Sequence, residues 1–372
     1  MPVGLIAMRW DERAGSELVG KYPAELNVTE KTLMQVYSTH EYSGETGMIN
    51  MMVGSLNIAS YYTGPEKSFY MLLLLSLDED PDLYEGGMAD AARIIIQAYE
   101  TGNIEEMLPS IFHRLSIFPT LTEEQLLAIT YQDEVKRLIV NRLREEGVVS
   151  KSELAVWLRD KYKSGLVDID VVLLELIKRE IAKETSVKGM PSELVFLTGD
   201  IISLRIPPSQ ILKNPAEKGL PAKLVEDYKT SVKKYFQTYR PSEEDTLKLI
   251  NILIDPQAYI TLKLLRTTIA TKNELEKLKK KGVENIDATL RLLWENQIIQ
   301  VFQDMKKVEY YALLSDLNVS LVFPKYLLNI IKKQYEVKSK SDQVLIECLN
   351  VLEDMYLEFL TKSKPEKTEL VA

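Results

Sequence analysis

Few side chains in this 372-residue sequence are equipped for catalysis. There are two histidines, His40 and His113, and one cysteine, Cys348. A histidine-based metal site, a Ser-His-Asp triad or a cysteine-rich zinc site is therefore poorly supplied. His40 stands beside Glu41 after the first helix; spacing identifies no catalytic partner, and a surface or capping histidine is the simpler reading. His113, among Ile111, Phe112 and Leu115, reads as a packed residue. None of G-x-x-x-x-G-K-[ST], G-x-G-x-x-G or G-x-S-x-G stands at a strand-to-helix turn, so nucleotide-binding and hydrolase chemistry lack their scaffolding. No catalytic, cofactor or metal residue is assigned, and the chain is expected not to be an enzyme. Two charge runs remain. Lys277, Lys279, Lys280 and Lys281, with Arg291 beyond them, could touch a phosphate backbone or an anionic membrane surface. Lysines are also favoured at a solvated helix end by the dipole. Asp78, Glu79, Asp80 and Asp82 would suit a partner with a basic face, or simply form a solvated loop closing a strand.

A chain this long exceeds the usual single domain, so two or three domains are expected. With 27% charged and 45% hydrophobic residues and no excess of Pro, Gly or Ser, it should fold over most of its length. The net charge of −9 is uneven: residues 1–120 carry 17 acidic and 7 basic side chains, whereas residues 121–372 are nearly balanced. Acidity belongs to the first domain. Few His and Cys beside many Glu and Lys fit a heat-adapted source. Met1 to Arg9 lacks the pattern of a signal peptide, and the longest apolar run, Phe69 to Leu75, is far short of a bilayer span. A reducing, cytoplasmic location is expected.

The elements before residue 119 follow from alternation and turn residues. Gly4 to Trp10 and Ser16 to Tyr22 read as paired strands, Thr29 as the cap of an amphipathic helix bearing Leu33, Val36 and Tyr37. Strands Met48 to Val53, Leu56 to Tyr62 and Ser68 to Ser76 follow, then a helix from Leu83 or Gly87 to about Tyr99. This order predicts one antiparallel sheet covered by helices, an α+β fold. It resembles the longin and roadblock families of regulatory domains, longin more closely because the paired strands precede the first helix. The resemblance implies binding of small GTPases, trafficking proteins or one another, by sheet extension or helix docking.

Farther on, one unit is written twice. Asp168-Ile-Asp-Val171 recurs as Asn285-Ile-Asp-Ala288, and Ser203, Leu204 and Pro207 recur as Ser320, Leu321 and Pro324. Leu173, Leu176, Ile177 and Ile181 correspond to Leu290, Leu293, Trp294 and Ile298, and Ser150 to Leu154 matches Thr271 to Leu275. Each copy reads as a first helix (about Gln132 to Glu146, and Pro256 to Thr268), a second from Ser152 or Asn273, and a third after Asp168 or Asn285. A hairpin then closes it, Val195 to Ile206 turning at Gly199 and Asp200, or Val308 to Val322 turning at Ser315 and Asp316. Three helices and a hairpin resemble the winged-helix family. With the first domain, they resemble archaeal-type regulatory or trafficking adaptors.

In DNA-binding winged helices the third helix must meet phosphate. Here that helix starts with Asp168 and Asp170 in copy one, and in copy two sets Glu284, Asp287 and Glu295 against Arg291. Protein binding is thus expected, similar to tandem winged-helix subunits of endosomal sorting machinery. The expected domains are 1–118 longin-like, 119–208 winged helix, 209–242 linker helix, 243–330 winged helix, 331–361 C-terminal helix and 362–372 disordered tail. The last helix serves the core or a homodimer. A scaffold or regulatory adaptor is the leading expectation, with a small GTPase or sorting-type complex as partner and peripheral membrane contact as a further one. The alternatives are a DNA-binding transcription or chromatin regulator using the second winged helix, and an enzyme with an unfamiliar site.

Overall fold

The computed structural model describes every residue except 1, 12, 14, 45, 66, 163–167 and 363–372. The fold is α+β. The chain divides into two compact units, Met1–Leu121 and Thr122–Ala372, a boundary three residues after the expected one. Among the described residues no helix is long and apolar enough to cross a membrane.

The first unit runs β1 (Gly4–Asp11), β2 (Gly15–Tyr22), α1 (Glu30–Ser43), β3 (Gly47–Val53), β4 (Leu56–Tyr62), β5 (Phe69–Leu75), α2 (Glu85–Thr101) and α3 (Ile104–Ile117). Its antiparallel sheet has the order β2-β1-β5-β4-β3. β5 is buried at every residue because helices cover both faces. Ile6, Met8, Tyr70, Leu72 and Leu74 pack with Leu33 and Val36 of α1. The alternate side chains Leu5, Ala7, Met71 and Leu73, equally buried, point the other way. α2 packs on β3, β4 and β5, and α3 on β1 and β2. Gly20 permits that contact, since a Cβ there would lie 2.7 Å from Leu108 of α3. Thr29 caps α1 by accepting from Thr32 N, as its position in the sequence predicts.

In the second unit, copy one comprises α4 (Glu123–Gln132), α5 (Glu134–Glu146), β6 (Val148–Ser150), α6 (Lys151–Lys161), α7 (Ile169–Lys178), β7 (Ala182–Thr185), β8 (Leu194–Leu197) and β9 (Asp200–Ile206). α8 (Ser209–Lys213) and α9 (Val225–Thr238) follow. Copy two comprises α10 (Glu243–Ile254), α11 (Pro256–Leu265), β10 (Ala270–Thr271), α12 (Lys272–Leu275), a 3-10 turn (Glu276–Lys281), α13 (Ile286–Glu295), β11 (Ile299–Gln303), β12 (Glu309–Leu313) and β13 (Asp316–Val322). The chain closes with α14 (Leu327–Val337) and α15 (Asp342–Lys362). The expected tail, 362–372, lies outside the described residues but for the backbone of Lys362.

The recurring phrases mark caps and turns. Ser150 accepts from Glu153 N and Thr271 forms a capping box with Glu274; Asp168 and Asn285 cap α7 and α13; Asp133 and Asp255 cap α5 and α11. Glu180 and Gln297 take the same left-handed backbone, φ 59° and 56°, ahead of β7 and β11. One difference is instructive. α6 buries Leu154 and Leu158, four apart, whereas copy two buries Leu275 and Leu278, three apart. Three-residue spacing suits a 3-10 turn, and there copy two tightens.

The hairpin expectation needs correction. β7 and β8 pair with each other, as do β11 and β12, and each hairpin gains a short strand, β6 or β10. β9 and β13, expected as the second arms, instead pair with each other across the repeat, Asp200 opposite Val322 and Ile206 opposite Asp316. α4 packs on α10 and on β13, and α10 on β9. Both added helices precede the expected first helix of their copy. The arrangement is that of a two-fold interface made within one chain, and a single apolar core runs through both copies and into α14 and α15. The 209–242 segment belongs to copy two: Tyr228 and Val232 of α9 pack with Ile269 and Phe302, and Tyr228 donates to the Leu313 carbonyl at 2.9 Å. The expected 331–361 helix is two helices, and Val344, Leu345, Cys348, Val351, Leu352 and Met355 of α15 are buried in the core.

Candidate interaction surfaces

Three guanidinium networks fix the repeats, that of Arg205 buried and those of Arg144 and Arg266 half-buried. In copy one, Arg144 of α5 donates through Nε to Asp200 at 2.7 Å and through Nη2 to the Ile201 carbonyl at 2.6 Å. Arg266, after α11, does the same with Asp316 and the Leu317 carbonyl, at the same distances. The third nitrogen distinguishes them. Arg144 Nη1 reaches the Tyr131 hydroxyl and Asn141, whereas Arg266 grips Glu124 of copy one through two bonds of 2.8 and 2.9 Å. Burial would lower the Arg266 guanidinium, but hydrogen bonds and charges from Glu124 and Asp316 outweigh it and raise it. Arg205 of β9 spans the copies too, bonding Asp245 of α10 at 2.6 Å and the Asn296 carbonyl at 2.8 Å. Burial alone would raise the Asp245 carboxyl, but Arg205 and Tyr239 hold it below its ordinary value. A shallow groove of about 430 Å³ between α4 and β13 is lined by Arg266, Glu124 and Asp316. Its guanidinium is already matched by two carboxylates and holds no net charge for an anion.

The third helices, once in place, are exposed and not basic. On α13, Asp287, Arg291, Leu292, Trp294 and Glu295 face solvent, Trp294 at 59% exposure. Its copy-one counterpart Ile177 is half-buried, and Leu174 is the exposed apolar residue of α7. Lys151 sits between Asp170, Glu184 at 2.7 Å and Glu193 at 3.5 Å, so the leading end of α7 is acidic.

Lys277, Lys279, Lys280 and Lys281 are all exposed on the 3-10 turn, which packs against α13. The two predicted basic groups are therefore on adjoining elements. Acidic neighbours temper them: Lys279 pairs with Glu276, and Asp287 is held below its ordinary value by a hydrogen bond and charge from Lys272, with Lys279 and Arg291 adding to it.

In the first unit the acidic run serves the fold. Asp80 caps a short 3-10 helix, Pro81–Tyr84, through Asp82 N. Asp82 accepts from Asn50 of β3, and Tyr84 donates to Glu79. Asp78, Asp80 and Asp82 remain exposed. Both histidine expectations fail. His113 is exposed, and His40 is buried at 1% exposure in the last turn of α1, its Nε2 2.9 Å from Ser60 Oγ. Its ring meets Tyr62 at a tilt and Tyr70 edge-on, and burial lowers its pKa from 6.5 to about 4. It is a neutral packing residue; exposure depends on which sheet face α1 covers, which neighbouring residues do not encode.

Sequence reasoning identified β2 and β3 as strands but not as the two edges of the sheet. β2 carries Glu17 and Lys21 and pairs with β1 through a register shift at Ala7/Met8. β3, Gly-Met-Ile-Asn-Met-Met-Val, bears no charge, pairs among the described residues only with β4, and exposes Met52 at 57%. Its lack of charge was visible in the sequence, but its edge position was not. Charges and bulges protect an edge from pairing, and β3 has neither.

Among the described residues no group of three or more His, Cys, Asp or Glu could hold a metal ion. Comparison with family models and with curated proteins finds no match for the chain.

Proposed function

We propose that the chain is a non-enzymatic adaptor that joins two proteins. The first unit, read as longin-like, recruits one of them, with a small GTPase as the leading candidate, along the β3 edge. The second, read as two winged-helix-like repeats fused into one body, holds the other against its third helices. One observation carries the reading: α13 presents Trp294, Leu292 and Arg291 to solvent beside Asp287 and Glu295. Exposed Trp with Arg is the chemistry of a protein hot spot, whereas a DNA-reading helix needs cations that phosphate can use. The strand-and-helix order behind the longin resemblance is that of the first unit, and the open β3 edge supplies the hydrogen-bonding row that sheet extension requires.

DNA binding is the second reading, favoured by exposed Lys277, Lys280 and Lys281. Two measurements on the full chain decide. Photo-crosslinking from positions 50 and 295 should capture discrete protein partners that are lost with Met52→Asp and Trp294→Ala. A DNA mobility shift should be absent at physiological salt; a shift abolished by replacing the four lysines with Ala would establish the DNA reading instead.

A further inference from the structure

The chain leaves β9 and β13 by the same turn. Ser209 N donates to the Pro207 carbonyl and Ile211 N to that of Pro208, as Lys325 N donates to Phe323 and Leu327 N to Pro324. Ile211 and Leu327 are both fully buried. Gln210 thus stands where the other copy has Tyr326, and there the likeness ends. Tyr326 donates to Asp200 Oδ2 at 2.9 Å, and the Asp200 side chain is 7% exposed. Gln210 is exposed and makes no side-chain hydrogen bond among the described residues. Asp316, the counterpart of Asp200, receives Arg266 Nε and Leu317 N on Oδ1. No described donor reaches its Oδ2, and its side chain is 17% exposed.

Beside Asp316 lies the groove between α4 and β13. Leu127, Ile206 and Leu321 give it apolar walls, while Glu123, Glu124 and Asp316 set three carboxylates against the one guanidinium of Arg266. That balance excludes an anion. Burial raises the Asp316 carboxyl in spite of Arg266, the mark of a desolvated oxygen that its present donors do not offset. Apolar walls suit a ring better than a strongly hydrated ammonium, and the other copy satisfies the same oxygen with a phenol. We propose that this groove is a docking site for a tyrosine side chain of another protein, its hydroxyl donating to Asp316 Oδ2 as Tyr326 donates to Asp200. A shallow groove encloses a side chain borne on another surface but leaves much of a free molecule wet. The Tyr326 of a second copy is already held by that copy's Asp200. The groove is separate from β3 and α13, so it stands or falls independently of the adaptor surfaces above.

The test uses the full chain and two capped pentapeptides, glycine throughout except for a central 3-fluorotyrosine or 3-fluorophenylalanine, followed by fluorine NMR. Wild type should broaden the fluorotyrosine resonance saturably. It should bind the fluorophenylalanine peptide about tenfold more weakly, the size expected for a hydrogen bond to a charged group. Gln210→Tyr brings a ring to the groove from within the chain and should abolish binding, whereas Gln210→Ala, which adds none, should leave it unchanged. Both replace an exposed side chain, so circular dichroism should not change. The proposal is overturned if neither peptide binds, if both bind equally, or if the two variants behave alike. Tighter binding of free 3-fluorophenol than of the peptide would overturn it in favour of a small phenol. A chain that is dimeric alone and monomeric with Gln210→Tyr would overturn it in favour of a second copy.

Discussion

The two units solve the burial of polar groups in opposite ways. The first keeps its interior neutral: His40 is held uncharged against Ser60, and Tyr70 is pushed up by burial among Tyr37, Tyr62 and His40. The second buries ions wholly or in part and matches them, with Arg144, Arg205 and Arg266 on Asp200, Asp245 and Asp316, and Lys136 on Glu175. A sheet between helix layers can be closed by apolar alternation alone. Two similar repeats that face each other need directional contacts to fix one register, and the guanidinium fork supplies them.

The contrast can be broken most decisively at Arg266. Arg266→Ala strands Glu124 and Asp316, so urea unfolding of the second unit should lose about 3 kcal/mol, the low end of the cost of breaking a buried pair because the site is partly exposed. Arg144→Ala strands one carboxylate, Asp200, that Tyr326 still bonds at 2.9 Å, and should cost less. The reverse order would show that the cross-copy bond is not what joins the repeats.

Acid should separate the units next. Below its ordinary value of 6.5 the unfolded chain protonates His40 while the fold, with a value of about 4, refuses the proton. Stability of the first unit is therefore full above pH 6.5, falls as the pH drops towards 4, and loses at most about 3 kcal/mol from this group. Hydrogen exchange of β5 amides should report the loss, and His40→Gln should remove it.

Smaller still are the repeated caps. Asp133→Ala and Asp255→Ala should each cost about 1 kcal/mol by thermal unfolding, and similar losses would support equivalent roles in the two copies. The smallest effect belongs to the edge. Met52→Lys should change stability by less than about 0.5 kcal/mol in the same assay, yet abolish crosslinking of a partner at β3, giving β3 the protection that Glu17 and Lys21 give β2.

Legibility also differed between the units. Every strand of the first was readable because each is an apolar run bounded by turn residues such as Gly54, Ser55, Gly64 and Pro65. α3 was not, although Ile104, Leu108, Ile111 and Leu115 have helical spacing, since Pro109 interrupts the run and reads as a breaker. In the second unit the matched phrases proved to be caps, which act within one helical turn. The interaction surfaces were less readable: Lys277 to Lys281 and Arg291 stood out by type, whereas β3, Trp294 and the groove at Asp316 acquire meaning only from what lies beside them.

By itself the sequence determined the duplication, the helix starts and the strands of the first sheet, because caps, turns and periodicity are local. Tertiary structure alone decided that β9 leaves its hairpin for β13, that His40 is buried, and that Asp200 receives the Tyr326 hydroxyl while Asp316 faces a groove. Burial and strand pairing depend on residues distant in the chain, 20 positions for His40 and Ser60 and more than a hundred for β9 and β13, and Gly199-Asp200 reads as the same turn whether the next strand folds back on β8 or crosses to the other copy.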